Sequence, residues 1–194
     1  RYLPFWQRLI SPYRVFSKKF FESFDLSDYD LVISSSNAYM AKAVKVPNGV
    51  HVCYCHTPPR FLYGYATALN WKKNFFMRIL GEILNHFMRV WDFEASQGVD
   101  HFIANSKEIQ GRIQKFYRRS SEVIYPPVDV DKFKGEAKPG DYFLVVSRLV
   151  AAKNVDMVVD VCKKLNFKLK VVGGGKQEEE LRKTAEGSSV EILG

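Results

Sequence analysis

The sequence predicts an α/β fold in which parallel strands alternate with helices in two successive domains. Apolar segments of about five residues are separated by stretches whose apolar residues have helical spacing, a pattern typical of parallel sheets with helices on their faces. Pro126 and Pro127 interrupt this alternation, because proline continues neither a helix nor a central strand. We therefore expect one domain over residues 1–125 and another over residues 126–194.

The first domain is predicted to contain four strands with helices between them. The strands are YDLVIS (29–34), VHVCYC (50–55), DHFIAN (100–105) and SEVIY (121–125), and the helices cover 37–45, 74–96 and 106–117. Cys53 and Cys55 lie two residues apart on one strand and so share a face, where we expect them to be small core residues.

The second domain is predicted to contain three strands and is expected to be incomplete. Its strands are YFLVV (142–146), FKLKVV (167–172) and SVEIL (189–193), and its helices cover 155–165 and 177–186. Asn154 is a residue type favoured at a helix N-cap. The residues expected to face the sheet, spaced three and four apart, are Val155, Val158, Val159 and Cys162.

Composition excludes several classes of protein. The apolar fraction of 46% over 194 residues is typical of a globular chain rather than a disordered one. No apolar stretch reaches the roughly 18 residues that a membrane span needs, and no secretory segment follows Arg1. Three cysteines without a regular framework favour a reducing compartment, and no Cys/His cluster has zinc spacing.

Positive charge is concentrated in the front of the chain. Residues 1–120 carry 17 Lys and Arg against 9 Asp and Glu, whereas residues 121–194 carry 12 of each. This asymmetry indicates either an anionic partner or a solvated basic surface. The segment 72–96 combines basic residues with an apolar stripe, which fits either a helix on an anionic membrane or a core helix. The stripe contains Phe76, Ile79, Leu80, Ile83, Phe87, Val90 and Trp91.

Two cations, Arg148 and Lys153, follow a predicted strand and precede a predicted helix. Loops after parallel strands meet at one edge of the sheet, where ligands bind, and helix N-termini favour anions. Arg offers a planar fork and Lys a point charge to phosphate oxygens, so the pair suits a diphosphate. Two solvated loop cations are the alternative.

Several other residues occupy positions where chemistry or structure explains them equally well. His56 ends a strand at the ligand edge and is either a site residue or a structural histidine, while nearby Arg60 suits an acceptor phosphate. The glycines of VVGGG form either a tight turn or a close approach to a ligand. Ser106 is either only a helix cap for 106–117 or also a site residue.

Segments in both halves resemble a known family. They are YDLVISSSNAYMAKAV, CYCHTPPRFLY, ANSKEIQGRIQKFYRRSSEVIYPPVDVDKF, VVSRLVAAKNVDMVVDV, VVGGGKQEEELRKTA and VEILG. Together they cover most of the chain in order and resemble the GT-B retaining glycosyltransferases that use nucleotide-sugar donors (group 1 and family 4), particularly the mannosyltransferase-like members.

The resemblance implies two Rossmann-like domains and transfer of a hexose, such as mannose from GDP-mannose, to a glycan or lipid-linked acceptor with retention. It places Arg148 and Lys153 at the donor diphosphate, Gly173 and Gly174 near the nucleotide or sugar, and His56 as a catalytic residue near the transferred sugar. It implies no metal and no cofactor. An enzyme of this kind is expected in the cytoplasm, peripheral to the inner face of an anionic membrane.

The chain also departs from the family pattern. The glycine-rich loop near the family's N-terminus and the downstream Glu-x7-Glu motif are absent, and Glu178 and Glu186 have that spacing only upstream of its place. We therefore expect both domains to be incomplete and this fragment to be inactive alone. A nucleotide-sugar epimerase, or a non-catalytic basic module that binds membrane or nucleic acid, remains an alternative, although no nucleic-acid motif is present.

Overall fold

A computed structural model describes residues 14–37, 40–65, 75–133, 135 and 140–194, with the backbone alone for residues 14 and 75–78. The described residues form two compact units, one up to Val128 and one from Asp129 onward. Each unit contains a parallel sheet with helices packed on it, which confirms the α/β fold class.

The first unit contains a sheet whose strands follow their order in the chain. The strands are β1 (Leu31–Ser36), β2 (Val50–Cys55), β3 (His101–Ala104) and β4 (Glu122–Val123). Every neighbouring pair is parallel, with Ser36 opposite Cys55 and Cys55 opposite Ala104. The carboxyl ends of these strands therefore lie along one edge, as in other sheets of this type.

The helices of the first unit are α1 (Ser17–Glu22), α2 (Phe75–Gln97) and α3 (Lys107–Tyr117). As predicted, Ser106 caps α3: its backbone is extended and its Oγ accepts a hydrogen bond from Ile109 N at 3.3 Å. Cys53 and Cys55 are buried as predicted. They lie in the core cluster Val99, Phe102, Ala104, Ile109, Ile113 and Tyr117.

The helix predicted over 37–45 is wrong in the described part of that range. Residues Ala41–Ala43 form a single 3-10 turn, and Val44 is already extended. One such turn places Met40 and Ala43 on the same side, where both are buried, so their three-residue spacing needs no longer helix. Ala38 and Tyr39 lie outside the described residues.

Helix α2 has an exposed apolar face, so the core interpretation of its stripe is wrong over residues 79–90. The side chains of this face are 43 to 53% exposed and are Ile79, Leu80, Ile83, Leu84, Phe87 and Val90. The buried face instead contains Asn85, Met88, Asp92, Ala95 and Ser96. Trp91 packs partly against the core, and the Phe76 side chain lies outside the described residues.

The second unit has strands β5 (Phe143–Val146), β6 (Leu169–Val172) and β7 (Val190–Ile192), parallel and in that order. Helices α4 (Val155–Lys164) and α5 (Glu178–Ala185) cover one face of the sheet. The core residues are Leu149, Val155, Val159, Cys162, Leu169, Val171, Leu181, Ala185, Val190 and Ile192.

Two predictions about the start of α4 are wrong. Asn154 stands at the N-cap position but has a left-handed backbone (φ 51°), and its side chain makes no capping hydrogen bond. A capping side chain needs an extended backbone, as Ser106 has, to reach the amides of the first turn. Val158, expected to face the sheet, is instead exposed.

Candidate functional site

Side chains from three neighbouring strands meet around His56 at the carboxyl edge of the first sheet. The His56 amide donates to Ser36 O at 2.9 Å, which continues the pairing of β1 and β2 by one residue. Ser35 Oγ lies 2.8 Å from His56 Nε2, and Asn105 Nδ2 donates to His56 O at 3.2 Å. The Tyr54 ring packs edge-on against the imidazole, with the two ring centroids 5.1 Å apart. Both the backbone and the ring of His56 are thereby oriented.

The exposed imidazole of His56 has one nitrogen engaged and one available. Nε2 is hydrogen-bonded to Ser35, and Nδ1 has no hydrogen-bond partner among the described residues. A neutral imidazole carries one proton, and the Ser35 hydroxyl can either donate to Nε2 or accept from it, so the contact fits both tautomers. The geometry allows Nδ1 to exchange a hydrogen bond or a proton with a ligand at this edge.

A second serine–histidine pair of the same length lies inside the first unit. Ser34 Oγ is 2.8 Å from His51 Nε2, but this histidine is buried, and its backbone amide donates to Asp100 Oδ2 at 2.8 Å. Burial lowers the pKa of His51 below its usual range and so favours the neutral ring. His51 is therefore structural, and only the His56 pair reaches solvent.

Arg60 lies in the turn that follows His56. Its guanidinium is exposed, and it makes no ion pair with any residue that the structure describes. The Arg60 carbonyl accepts hydrogen bonds from the amides of Tyr63 at 3.3 Å and Tyr65 at 3.1 Å, which closes the turn. From α3, the Arg112 guanidinium lies 4.1 Å from the centroid of the Tyr65 ring.

In the second unit, Arg148 and Lys153 lie between β5 and α4. Lys153 is the last residue of the 3-10 turn Ala151–Lys153, and Asn154 separates it from the first residue of α4. Both cations are exposed, and neither forms an ion pair or a side-chain hydrogen bond within the described ranges 14–37, 40–65, 75–133 and 140–194. Their charge is therefore available to an anion.

The glycine turn after β6 packs directly against the backbone beside Arg148. Leu149 N donates to Gly174 O at 2.9 Å. A Cβ on Gly173 would lie 2.0 Å from Ser147 O, and one on Gly175 would lie 2.2 Å from Leu149 O, so both positions require glycine. Gly173 also has a φ of 130°. Gly174, in contrast, has space for a Cβ.

Among the residues described, no group of three or more His, Cys, Asp or Glu side chains is arranged to hold a metal ion. Glu178, which has the spacing of the family's acidic motif with Glu186, is held by Arg182 at 2.8 Å. It is therefore engaged within α5.

The chain has two α/β units, each with a parallel sheet and with polar side chains at its strand ends. This defines a Rossmann-like protein of the class that binds ligands at that edge of the sheet. More specifically, the chain belongs to Glycosyltransferase Family 4, whose model matches residues 1–132, and the fold is GT-B. No curated protein matches the chain significantly. The matched residues include His56 and Arg60, whereas Arg148 and Lys153 lie beyond them.

Sequence reasoning missed Ser35, Asn105 and Gly175 as members of these sites. A signal for the first two existed, because each is a polar residue at the carboxyl end of a strand that neighbours β2. Gly175 was seen only as part of a triplet, and its close approach to Leu149 depends on how the two loops pack.

Proposed function

We propose that this protein transfers a hexose such as mannose from a nucleotide-diphosphate sugar to a glycan or lipid-linked acceptor. The transfer retains the anomeric configuration of the sugar. Membership of Glycosyltransferase Family 4 makes it a transferase of sugars in general. The observation that carries the finer proposal is the pair of exposed cations, Arg148 and Lys153, without a carboxylate partner in the described part of the chain.

Arg148 and Lys153 would bind the diphosphate of a donor such as GDP-mannose. As the glycosidic bond breaks, negative charge grows on the leaving diphosphate, and cations bound to it would stabilise that charge more than they stabilise the ground state. Gly173 and Gly174 would bring backbone amides close to the nucleotide or the sugar. With two cations at the phosphates, this chemistry requires no metal or cofactor.

His56 would act on the sugar side of the reaction. Its Nδ1, which has no hydrogen-bond partner among the residues described, would contact the transferred sugar or the acceptor, while Ser35 holds Nε2. Arg60 would bind an anionic group of the acceptor, such as a lipid phosphate, because its guanidinium is exposed a few residues further along the same segment.

The test is nucleotide binding by the full chain. We expect GDP, compared with UDP and ADP, to raise the midpoint of thermal unfolding, because a ligand that binds only the folded state stabilises it. Arg148→Ala and Lys153→Ala should each remove most of that shift. Lys164→Ala, which removes the same charge at the other end of α4, is the matched control. Full retention of the shift in both site variants would exclude the diphosphate site.

We also propose a cytoplasmic location with peripheral association to an anionic membrane. No helix in the described residues is long and apolar enough to cross a bilayer. The exposed apolar face of α2 suits burial in the headgroup region, and the positive excess of residues 1–120 complements anionic lipids. This surface would bring the enzyme to a lipid-linked acceptor.

A further inference from the structure

A buried ionic network lies beneath the segment of residues 57–65. Asp92 of α2 and Lys42 of the 3-10 turn have side chains that are 0% and 1% exposed, and Lys42 Nζ donates to Asp92 Oδ1. The other carboxylate oxygen, Oδ2, accepts a hydrogen bond from the Tyr63 hydroxyl at 2.9 Å. Three parts of the chain that are far apart in sequence therefore meet at one carboxylate.

Stability alone does not explain this arrangement. Removing two charges from water costs free energy that their attraction often fails to recover, and apolar replacements of buried ion pairs are frequently neutral or stabilising. The tyrosine does not add charge, because burial and the nearby Asp92 raise the pKa of Tyr63 above its usual range. The network instead provides Tyr63 with a fixed hydrogen-bond acceptor.

Tyr63 is in turn one of the residues through which the segment is held. Its ring stacks on Phe116 of α3 with centroids 4.1 Å apart, so its position is set from both helices. Arg89 of α2 donates to the neighbouring Leu62 O at 3.1 Å. The Tyr63 amide donates to Arg60 O at 3.3 Å, which links this buried anchor to the exposed end of the turn.

We propose that Asp92, oriented by Lys42, is a positioning residue that fixes the turn carrying Arg60 through the Tyr63 hydroxyl. The role of the fixed turn in acceptor binding rests on the proposed function. The fixing itself does not, and it is measurable without a substrate.

Trypsin reports directly on the turn, since the Arg60–Phe61 bond is cleaved only when the turn opens. In the full chain, Tyr63→Phe removes one hydroxyl and keeps the ring. We expect cleavage after Arg60 to become about tenfold faster, because the lost hydrogen bond has a charged acceptor. Tyr54→Phe, which loses a hydroxyl bonded at 3.2 Å to Ile124 O outside the segment, should leave this rate unchanged.

A pair of double variants separates positioning from a purely structural role. Lys42→Met with Asp92→Asn removes both charges but keeps an oxygen that can accept from Tyr63, whereas Lys42→Met with Asp92→Leu removes the acceptor as well. We expect slow cleavage after Arg60 in the first and fast cleavage in the second. Cleavage after Arg119, whose guanidinium donates to Val99 O and Asp100 O in the same unit, monitors general opening of that unit.

Equal rates in the two double variants, or an unchanged rate in Tyr63→Phe, would overturn the proposal. So would an increase after Arg60 that is matched after Arg119. None of these rates depends on nucleotide binding, so a failure of the GDP experiment would reject the proposed function and leave this result standing.

Discussion

Ser35 Oγ and His56 Nε2 lie 2.8 Å apart at an exposed sheet edge, and Ser34 Oγ and His51 Nε2 repeat the same distance in the core. The two pairs come from adjacent residues of β1 and differ in burial, which makes them natural controls for each other. Their hydrogen bonds should therefore have very different energetic consequences.

We predict that Ser34→Ala lowers the free energy of unfolding by about 2 kcal/mol, because it leaves a buried imidazole nitrogen without a partner. Ser35→Ala should change it by less than about 0.5 kcal/mol, since water replaces the hydroxyl. Urea unfolding followed by tryptophan fluorescence measures both, as the tryptophans are Trp6, Trp71 and Trp91. An equal loss of unfolding free energy in Ser34→Ala and Ser35→Ala would contradict the assignment of His56 to the solvent-exposed edge.

The glycine turn of the second unit gives a second prediction. Gly175→Ala should be strongly destabilising, by about 1 to 3 kcal/mol, because the new Cβ would overlap Leu149 O. Gly174→Ala has room and is the matched control, with an effect near zero. Hydrogen exchange of the β5 and β6 amides measures the change, because the tryptophans all precede this unit. Comparable protection in the two variants would show that the turn adjusts freely.

Alkaline pH should destabilise the first unit. Burial raises the pKa of the Cys55 thiol from 9.0 to about 12, and it also raises the pKa of Cys53. The folded state therefore holds these protons more tightly than the unfolded state. Their stabilising contribution is complete below pH 9 and is lost progressively as the pH approaches 12.

Urea midpoints measured by tryptophan fluorescence across this pH range test the effect. Cys55→Ala should flatten the dependence, whereas Cys162→Ala, in the second unit, should leave it unchanged. As a separate check, iodoacetamide should label Cys55 in urea but hardly in the native protein. A midpoint independent of pH would contradict the burial of these thiols.

The exposed apolar face of α2 gives a membrane-binding prediction. Replacing Ile83 and Phe87 together by serine should weaken binding to phosphatidylcholine vesicles that contain phosphatidylglycerol by at least about tenfold, because each buried apolar side chain contributes substantially to transfer. Met157→Ser with Val161→Ser, two exposed apolar residues of α4, is the matched control. Cosedimentation measures binding.

Binding that persists in the Ile83 and Phe87 variant would exclude this face as the contact. A concentration-dependent dimer of the unaltered chain that the same substitutions abolish would assign the face to a second copy instead. Loss of binding when phosphatidylglycerol is omitted is expected, because the positive excess of residues 1–120 favours anionic lipid.

Local patterns were sufficient to predict most of the elements. The strand Val50–Cys55 follows from a short apolar segment, and the helix Lys107–Tyr117 follows from helical spacing and from the serine at its start. Both are properties of neighbouring residues. Asn154 shows the limit of such reasoning, because a suitable residue type fails to cap when its backbone is left-handed.

The helical spacing of α2 predicts the helix but not its orientation. Lys42 lies fifty positions before Asp92 in the chain and pairs with it in the core. This contact helps to determine that the polar face of α2 is the buried one. The partners of His56 have a similar origin. Ser35 and Asn105 reach it through the register of three strands, and a list of residue types does not contain that register.

In both sheets each strand pairs with the strand that precedes it in the chain. Contacts between consecutive strands close shorter loops than pairings that skip a strand, so the entropy lost at each step of sheet formation is smaller. During synthesis on the ribosome, β2 can dock on β1 before β3 has emerged, so each of these strands meets its partner as it is made.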